Sequence, residues 1–381
     1  MTATKTRPAA EKKARVRGDA VALLAVVVIL NAIGVLMVLS ASSVQALKQF
    51  GSSWVFFQRD AMWVAAGAIA LVLTSRFDYR RWMQLRVPLL GSALVLLVAV
   101  LVPSIGTDVY GSSRWLRLGP VSIQPSEIGK LALLVFAAGL LAQRADKVAD
   151  TRLTMRPVLV VFLTLAVLIM AQPDMGTTLV LGCIALTLVF VAGTPMLPMT
   201  KLVAAGAGLA FLAARLEPYR WARMSNFGDP FADAGDTGYQ LAQSLVGLGS
   251  GGLTGLGLGA SRAKWGFLPN AHTDFIFAIL GEELGLLGSL LVVALFVTFI
   301  VLGIRIALRA PDRFGMLLAA GVTAWVGGQA FLNLGVVVGL LPVTGVTLPF
   351  VSFGGSSLLV TMAATGILLN IAKQDRAVRA R

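Results

Sequence analysis

Long apolar runs, each almost free of charge, recur ten times along this chain. They fall at residues 20–43, 54–74, 85–103, 126–143, 157–171, 176–193, 199–215, 273–303, 314–334 and 351–372. A backbone in lipid finds no water to bond, so runs of this length fold as spanning helices. Hydrophobic residues make up 57% of the 381 positions and charged ones 13%, half the charged share of an average soluble domain of about 25%. The expected fold class is therefore an all-α polytopic membrane protein with ten transmembrane helices.

The formal charge of +14 invites a nucleic-acid reading, but its distribution opposes one. Residues 1–18 carry Lys5, Arg7, Lys12, Lys13, Arg15 and Arg17, which sets the N-terminus inside. Alternation then puts 22 Lys/Arg against 7 Asp/Glu on the cytoplasmic side, and 10 against 11 on the other. That asymmetry is the positive-inside pattern, with both termini cytoplasmic. The first apolar run has no small-residue cleavage site and is expected as a retained anchor. The chain divides into a basic, disordered tail (1–18), a membrane domain (19–372) and a second basic tail (373–381). Within the membrane domain, the loop 216–272 between helices 7 and 8 lies outside the membrane on the far face. Cys183 is the only cysteine, so neither an intrachain disulfide nor a cysteine cluster forms.

Loops as long as 216–272 are functional or disordered. This one holds Tyr219, Trp221, Phe227, Phe231, Tyr239 and Trp265, which argues for order at the membrane surface. It ends at Asp274, after which the chain turns apolar. An acid at the lip of a membrane helix is costly and points to function. On a continuous helix, Ala278, Gly281, Gly285 and Gly288 lie within about 40° of Asp274. Two readings of that stripe stand open: close helix packing, or a groove for a lipid chain leading up to the carboxylate. Asp274 as a plain N-cap is a third. Glu282 and Glu283 point elsewhere on the helix and are expected to bond to neighbouring helices.

Seven glycines between Gly247 and Gly259 predict close backbone approach or mobility. They are not a nucleotide loop, since no Gly-Lys-Ser/Thr follows. Arg262 and Lys264 beyond them either hold a pyrophosphate or are solvated loop charges. Arg114 lies in the other long outer loop, 104–125. Pro125 and Glu127 suit a helix start. Glu127 and Lys130, three apart, share one face; a structural ion pair and a substrate-facing pair both fit. Asp174 reads as an N-cap. His272 is the sole histidine, and its spacing from Asp274 does not make a base–orienter dyad. No ligand set has metal-site spacing.

Seven segments occur in one order: MVLSAS (37–42), GSSRWLRLG (111–119), QPSEIGKL (124–131), QPDMGTT (172–178), GYQLAQSLVGLGSGG (238–252), FLPNAHTDFIFAILGEELG (267–285) and LPVTGVTLPFVSFGGSS (341–357). Together they resemble the SEDS family (shape, elongation, division and sporulation) of bacterial cell-wall proteins, with wording nearer its FtsW branch than RodA. Asn270 stands where many relatives carry Glu. The resemblance implies an inverting peptidoglycan glycosyltransferase that polymerises lipid II at the division septum of the plasma membrane. It implies Asp274 as general base and undecaprenyl diphosphate as leaving group. Arg114, Glu127, Lys130, Arg262, Lys264 and His272 are the expected substrate-binding residues. A divalent cation (Mg or Mn) is the expected cofactor, with no nucleotide. Expected partners are a class B penicillin-binding protein and other divisome proteins. A lipid II flippase, the same polymerase in elongation, and a structural scaffold are the competing readings. The outward clustering of polar groups favours the enzyme.

Overall fold

A computed structural model describes residues 9–102, 106–109, 112–119, 121–216, 231 and 238–374. Among the aromatic residues expected to order the long loop, Tyr219, Trp221 and Phe227 lie outside the described residues. So do residues 1–8 and 375–381 of the two tails.

Eleven α-helices are found among the described residues. They are α1 (Ala9–Phe50), α2 (Val55–Arg76), α3 (Trp82–Ala99), α4 (Pro125–Gln143), α5 (Met155–Met170), α6 (Met175–Val191), α7 (Met196–Leu216), α8 (Tyr239–Ser250), α9 (Ile276–Arg309), α10 (Arg313–Val337) and α11 (Gly355–Lys373). Seven are long and apolar enough to cross a membrane: α1, α2, α3, α4, α9, α10 and α11. Helices α5 and α6 are shorter and equally apolar. The chain is thus a multi-pass membrane protein. Each of the ten expected spans falls on a helix, and α8 is an addition within the loop.

Two segments read as irregular are ordered. Residues 9–18, expected as a disordered tail, are helical and run straight into α1. The sequence there, AAEKKARVRG, is rich in strong helix formers and has a membrane helix to extend. The loop 104–125 holds a three-stranded antiparallel sheet, β1 (Gly106–Val109), β2 (Ser112–Leu118) and β3 (Val121–Ile123), in that order. Thr107 faces Trp115 and Arg117 faces Ser122.

Helices α4, α10 and α11 are the buried centre, whereas α2 and α3 show most of their apolar surface outward. Side chains such as Leu73, Val95, Leu287 and Leu308 are exposed, as a lipid-facing surface requires. Where α2 meets α11, the Thr74 hydroxyl donates across the contact to the Ala363 carbonyl at 2.9 Å. Polar links of this kind supplement small-residue packing between membrane helices.

Helix α9 is not continuous. Gly285 has φ +68° and ψ −165°, which breaks the helical ladder. The glycine-rich segment after α8 repairs the break. Leu256 and Gly257 N–H donate to the Glu282 and Glu283 carbonyls at 3.0 Å each, and Leu286 and Leu287 N–H donate to the Gly252 and Leu253 carbonyls at 2.9 and 3.2 Å. Backbone lies directly on backbone. A Cβ on Gly255, whose φ is +83°, would stand 2.1 Å from the Glu283 oxygen. Close backbone approach holds for Gly251 and Gly255; Gly249, Gly252, Gly257 and Gly259 have open space where a Cβ would stand.

Candidate active site

Asp274 precedes α9 rather than belonging to it. The residue at the cap position is Phe275, with no side-chain cap. Asn270 builds the turn that carries the acid. Its φ is +56°, a left-handed conformation that asparagine tolerates better than most residues. Its carbonyl accepts from the N–H groups of Thr273 and Phe275 at 3.1 and 3.3 Å. The Asn333 amide of α10 clamps the same turn, donating to the Asp274 carbonyl and to the Val346 carbonyl, each at 2.7 Å. The Ser352 hydroxyl donates to the Thr273 carbonyl at 2.5 Å.

The turn opens onto a cavity of about 1230 Å³ between α1, β2, α4, the start of α6, and the segments 264–274 and 342–347. Asp274, Arg114, Glu127, Lys130, Asp174, Lys264 and Gln329 all line it. Burial raises the Asp274 carboxyl from its ordinary value to about 6; the negative charge of Asp174 adds to this and Arg114 offsets part of it. A carboxylate of that value is ionised at neutral pH and close to the best range for a general base.

Arg114 ties the sheet to the α5–α6 turn: Nε donates to the Gln172 carbonyl at 2.8 Å, and Nη2 to that of Pro173. Asp174 caps α6 as expected, accepting from Thr177 N–H at 3.0 Å and its hydroxyl at 2.8 Å. It also accepts from the Gln124 amide at 3.1 Å and lines the cavity, which capping alone did not foretell.

Pro125 occupies the first turn of α4, with Glu127 acidic there. Glu127 and Lys130 meet at 2.8 Å, both almost fully buried. Lys130 also donates to Gln329 Oε1 at 2.9 Å and stands 4.9 Å from the Trp325 ring centre. The same Gln329 oxygen accepts from Trp325 Nε1 at 3.0 Å, while its amide donates to the Thr347 carbonyl at 3.0 Å. Lys130 is therefore held in place by three neighbours, Glu127, Gln329 and Trp325, before any substrate arrives.

Several expectations need correction. The glycine stripe is packed, not open: Ala278, Gly281 and Gly285 are buried, and a Cβ on Gly251 would meet the Gly281 oxygen at 2.0 Å. Residues 247–257 fill the space a groove would need. Glu282 bonds to its own preceding loop, not to another helix. Its carboxylate accepts from the Ser261 hydroxyl at 2.5 Å, Arg262 N–H at 2.9 Å and Ala263 N–H at 3.3 Å. Glu283 does reach α1, accepting from the Ser40 hydroxyl at 2.6 Å.

Arg262 offers its backbone to this network while its side chain is exposed and off the cavity wall. Lys264 lines the cavity but is already engaged by Glu283 at 3.3 Å, the Gly259 carbonyl at 2.6 Å and Ser40 at 3.2 Å. His272 is buried between Phe56 and Phe353, with ring centres 4.9 and 5.7 Å away, and does not line the cavity. Burial lowers its imidazole to about 4, so it is neutral at neutral pH. Of the six expected binding residues, four share the cavity with Asp274. Trp325, Gln329 and Asn333 lie outside the expected site residues; the only sequence signal for Gln329 and Asn333 is that they are polar positions in an apolar run.

The model of the family described as "Cell cycle protein" (FtsW, RodA, SpoVE) matches residues 21–377. The chain belongs to this family, the SEDS proteins. This SEDS chain is 42% identical to "Probable peptidoglycan glycosyltransferase FtsW" of Geobacter metallireducens, over 93% of its own length and 94% of the relative's. It is 40% identical to "Stage V sporulation protein E" of Bacillus subtilis, over 93% and 97%. Among solved structures, it matches a chain from "Structural coordination of polymerization and crosslinking by a peptidoglycan synthase complex" with TM-score 0.76 and 29% identity, over 93% and 97%. The crystal structure of the Thermus thermophilus rod shape determining protein RodA matches with TM-score 0.70 and 29% identity, over 93% and 96%.

Proposed function

We propose that this SEDS protein is a peptidoglycan glycosyltransferase that polymerises lipid II at the division septum. The observation that carries the reading is the Asp274 carboxylate, raised to about 6, on the wall of a cavity that also holds Arg114 and Lys130. The names of the relatives support the same activity, and the family's description as a cell cycle protein supports the septal role.

In the proposed ten-helix topology, with both termini cytoplasmic, the cavity lies at the outer face, where lipid II would be polymerised. Asp274 takes the proton from the acceptor sugar's 4-hydroxyl as that oxygen attacks C1 of the donor. The new C1–O4 bond is β, the bond from C1 to the phosphate oxygen breaks, and its electron pair leaves on undecaprenyl diphosphate. Arg114 and Lys130 are the cavity cations that face this developing charge. Arg262 drops out of that role because its side chain lies off the cavity wall; Lys264 is paired with Glu283 as Lys130 is with Glu127, and both remain cavity cations.

A divalent cation caged wholly by protein side chains is not supported by the donors present, whereas one shared with the donor's diphosphate needs only one or two carboxylates. Among the described residues no group of three or more His, Cys, Asp or Glu side chains is close enough to hold one, and Asp174 is committed to Thr177 and Gln124. No step is assigned to an ion. A class B penicillin-binding protein is the proposed partner. The solved complex that joins polymerisation to crosslinking supports that pairing.

Purified protein in detergent, given lipid II, tests the reading. Glycan polymer in the absence of a bilayer is expected, with a higher rate when the transpeptidase is added. Movement of lipid II across vesicles without polymer in detergent would establish a flippase instead.

A further inference from the structure

A second cleft, of about 410 Å³, lies at the end of the bundle where α3 begins and α4 ends. Arg80, Met83, Gln84, Arg86, Val87 and Gln143 line it, and none of them is acidic. Its two arginines are not equivalent. Arg80 is neutralised by Asp312 at 2.8 Å and Asp78 at 3.5 Å, and it donates to Gln374 at 2.6 Å. Arg86 makes no ion pair or hydrogen bond among the described residues, and its Nη1 is buried without a partner. The side chain lies against α4, where an added Cβ on Gly139 would come within 3.3 Å of Nη1.

A guanidinium with an unsatisfied buried donor is costly unless a ligand completes it. Beside it, Val87 is 62% exposed, and Val98, about three turns further along the same face of the helix, is 51% exposed. An anionic head at Arg86 would thus have an apolar path for its chains along α3. The basic loops around Arg76–Arg86 and Arg144–Arg156 lie at this end, the cytoplasmic end in the proposed topology. Basic pockets between helices on that side suit anionic lipid.

We propose that this cleft binds the phosphate of an anionic phospholipid headgroup, with Arg86 as its principal ligand and Gln84 and Gln143 as further donors. The site is separate from the Asp274 cavity, so it stands or falls independently of the polymerase reading.

Native mass spectrometry of the full chain in neutral detergent tests it, with phosphatidylglycerol, phosphatidylcholine or inorganic phosphate added in turn. One tightly held phosphatidylglycerol is expected, weakened about five- to tenfold by Arg86→Gln. Gln143→Trp, which fills the cleft and keeps the charge, is expected to weaken it similarly. Arg152→Gln, on an exposed arginine of a nearby loop, is expected to leave it unchanged. Equal retention by wild type and Arg86→Gln overturns the proposal. So does an equal loss with Arg152→Gln, which would mean diffuse charge attraction. Equal binding of phosphatidylcholine overturns it as well. Occupancy by inorganic phosphate as tight as by phosphatidylglycerol would make the ligand a free anion and overturn the lipid assignment.

Discussion

Asn333 donates its side-chain amide to the main-chain carbonyl of Asp274 at 2.7 Å. The same amide nitrogen donates to the Val346 carbonyl at 2.7 Å. One side chain of α10 thus fixes the turn that carries Asp274 against the segment that carries Gly345, which stands beside the Asp274 carboxylate. The position of the acid is set by α10, though α9 follows it in sequence.

Replacing Asn333 with Leu leaves two buried carbonyls unpaired, at about 1–3 kcal/mol each. The expected outcome is a fall in polymerisation of about tenfold or more, with a lower melting temperature. Asn333→Asp, which cannot donate when ionised, should behave alike. Unchanged rate and melting temperature in both variants would contradict the clamp.

The pH dependence follows from the raised value at Asp274. An acid whose folded value, about 6, lies above its ordinary 3.8 favours the protonated fold. That stabilisation is complete below 3.8 and is lost as pH rises through about 6. Activity needs the ionised form, so the rate should climb through about pH 6 to a plateau. At neutral pH the partly exposed carboxylate costs the fold on the order of 1–2 kcal/mol, discounted for screening. Asp274→Asn should therefore be at least as heat-stable as wild type. A rate flat from pH 5 to 8 would contradict this assignment.

The contact across the α9 break makes a sharp contrast between glycines. Gly255→Ala puts a Cβ 2.1 Å from the Glu283 oxygen at a φ of +83°. It should destabilise by about 3 kcal/mol or more, since backbone cannot yield as a side chain does. Gly249 is in α8, exposed, with nothing within 4 Å of an added Cβ. Gly249→Ala should be neutral or stabilise by about 0.5–1 kcal/mol. Thermal unfolding of the two purified variants checks the pair.

The Glu127–Lys130 pair can be divided into structural and chemical parts. Removing either partner alone strands a buried charge, at about 3–5 kcal/mol. Glu127→Gln with Lys130→Met removes both charges and should recover most of that stability. Polymerisation should stay at least about a hundredfold down if Lys130 meets the leaving group as proposed. Recovery of activity together with stability would make the pair structural only.

The helices were legible because lipid enforces length and apolarity, and those are written directly in composition. The helix starts at Pro125 and Asp174 were legible because capping is local. The glycine-rich segment was legible as close approach, but not what it approached. Its partner is the backbone of α9 around Gly285, and no side-chain pattern encodes that pairing. For the same reason the stripe under Asp274 read as a groove, which would account for the acid as well as the glycines, where the structure shows packed contact. The fates of Arg262, Lys264 and His272 depended on Glu282, Glu283 and two phenylalanines from distant segments. Charge in the sequence showed that cations were near the acid, but not which were already taken.

The most direct measurement is glycan synthesis from lipid II by purified, monodisperse Asp274→Asn protein beside wild type, at pH 7.5 in detergent. The expected result is polymer from wild type and at least about a thousandfold less from the variant, at equal or higher melting temperature. Polymer from a folded Asp274→Asn protein at a wild-type rate would contradict Asp274 as the base.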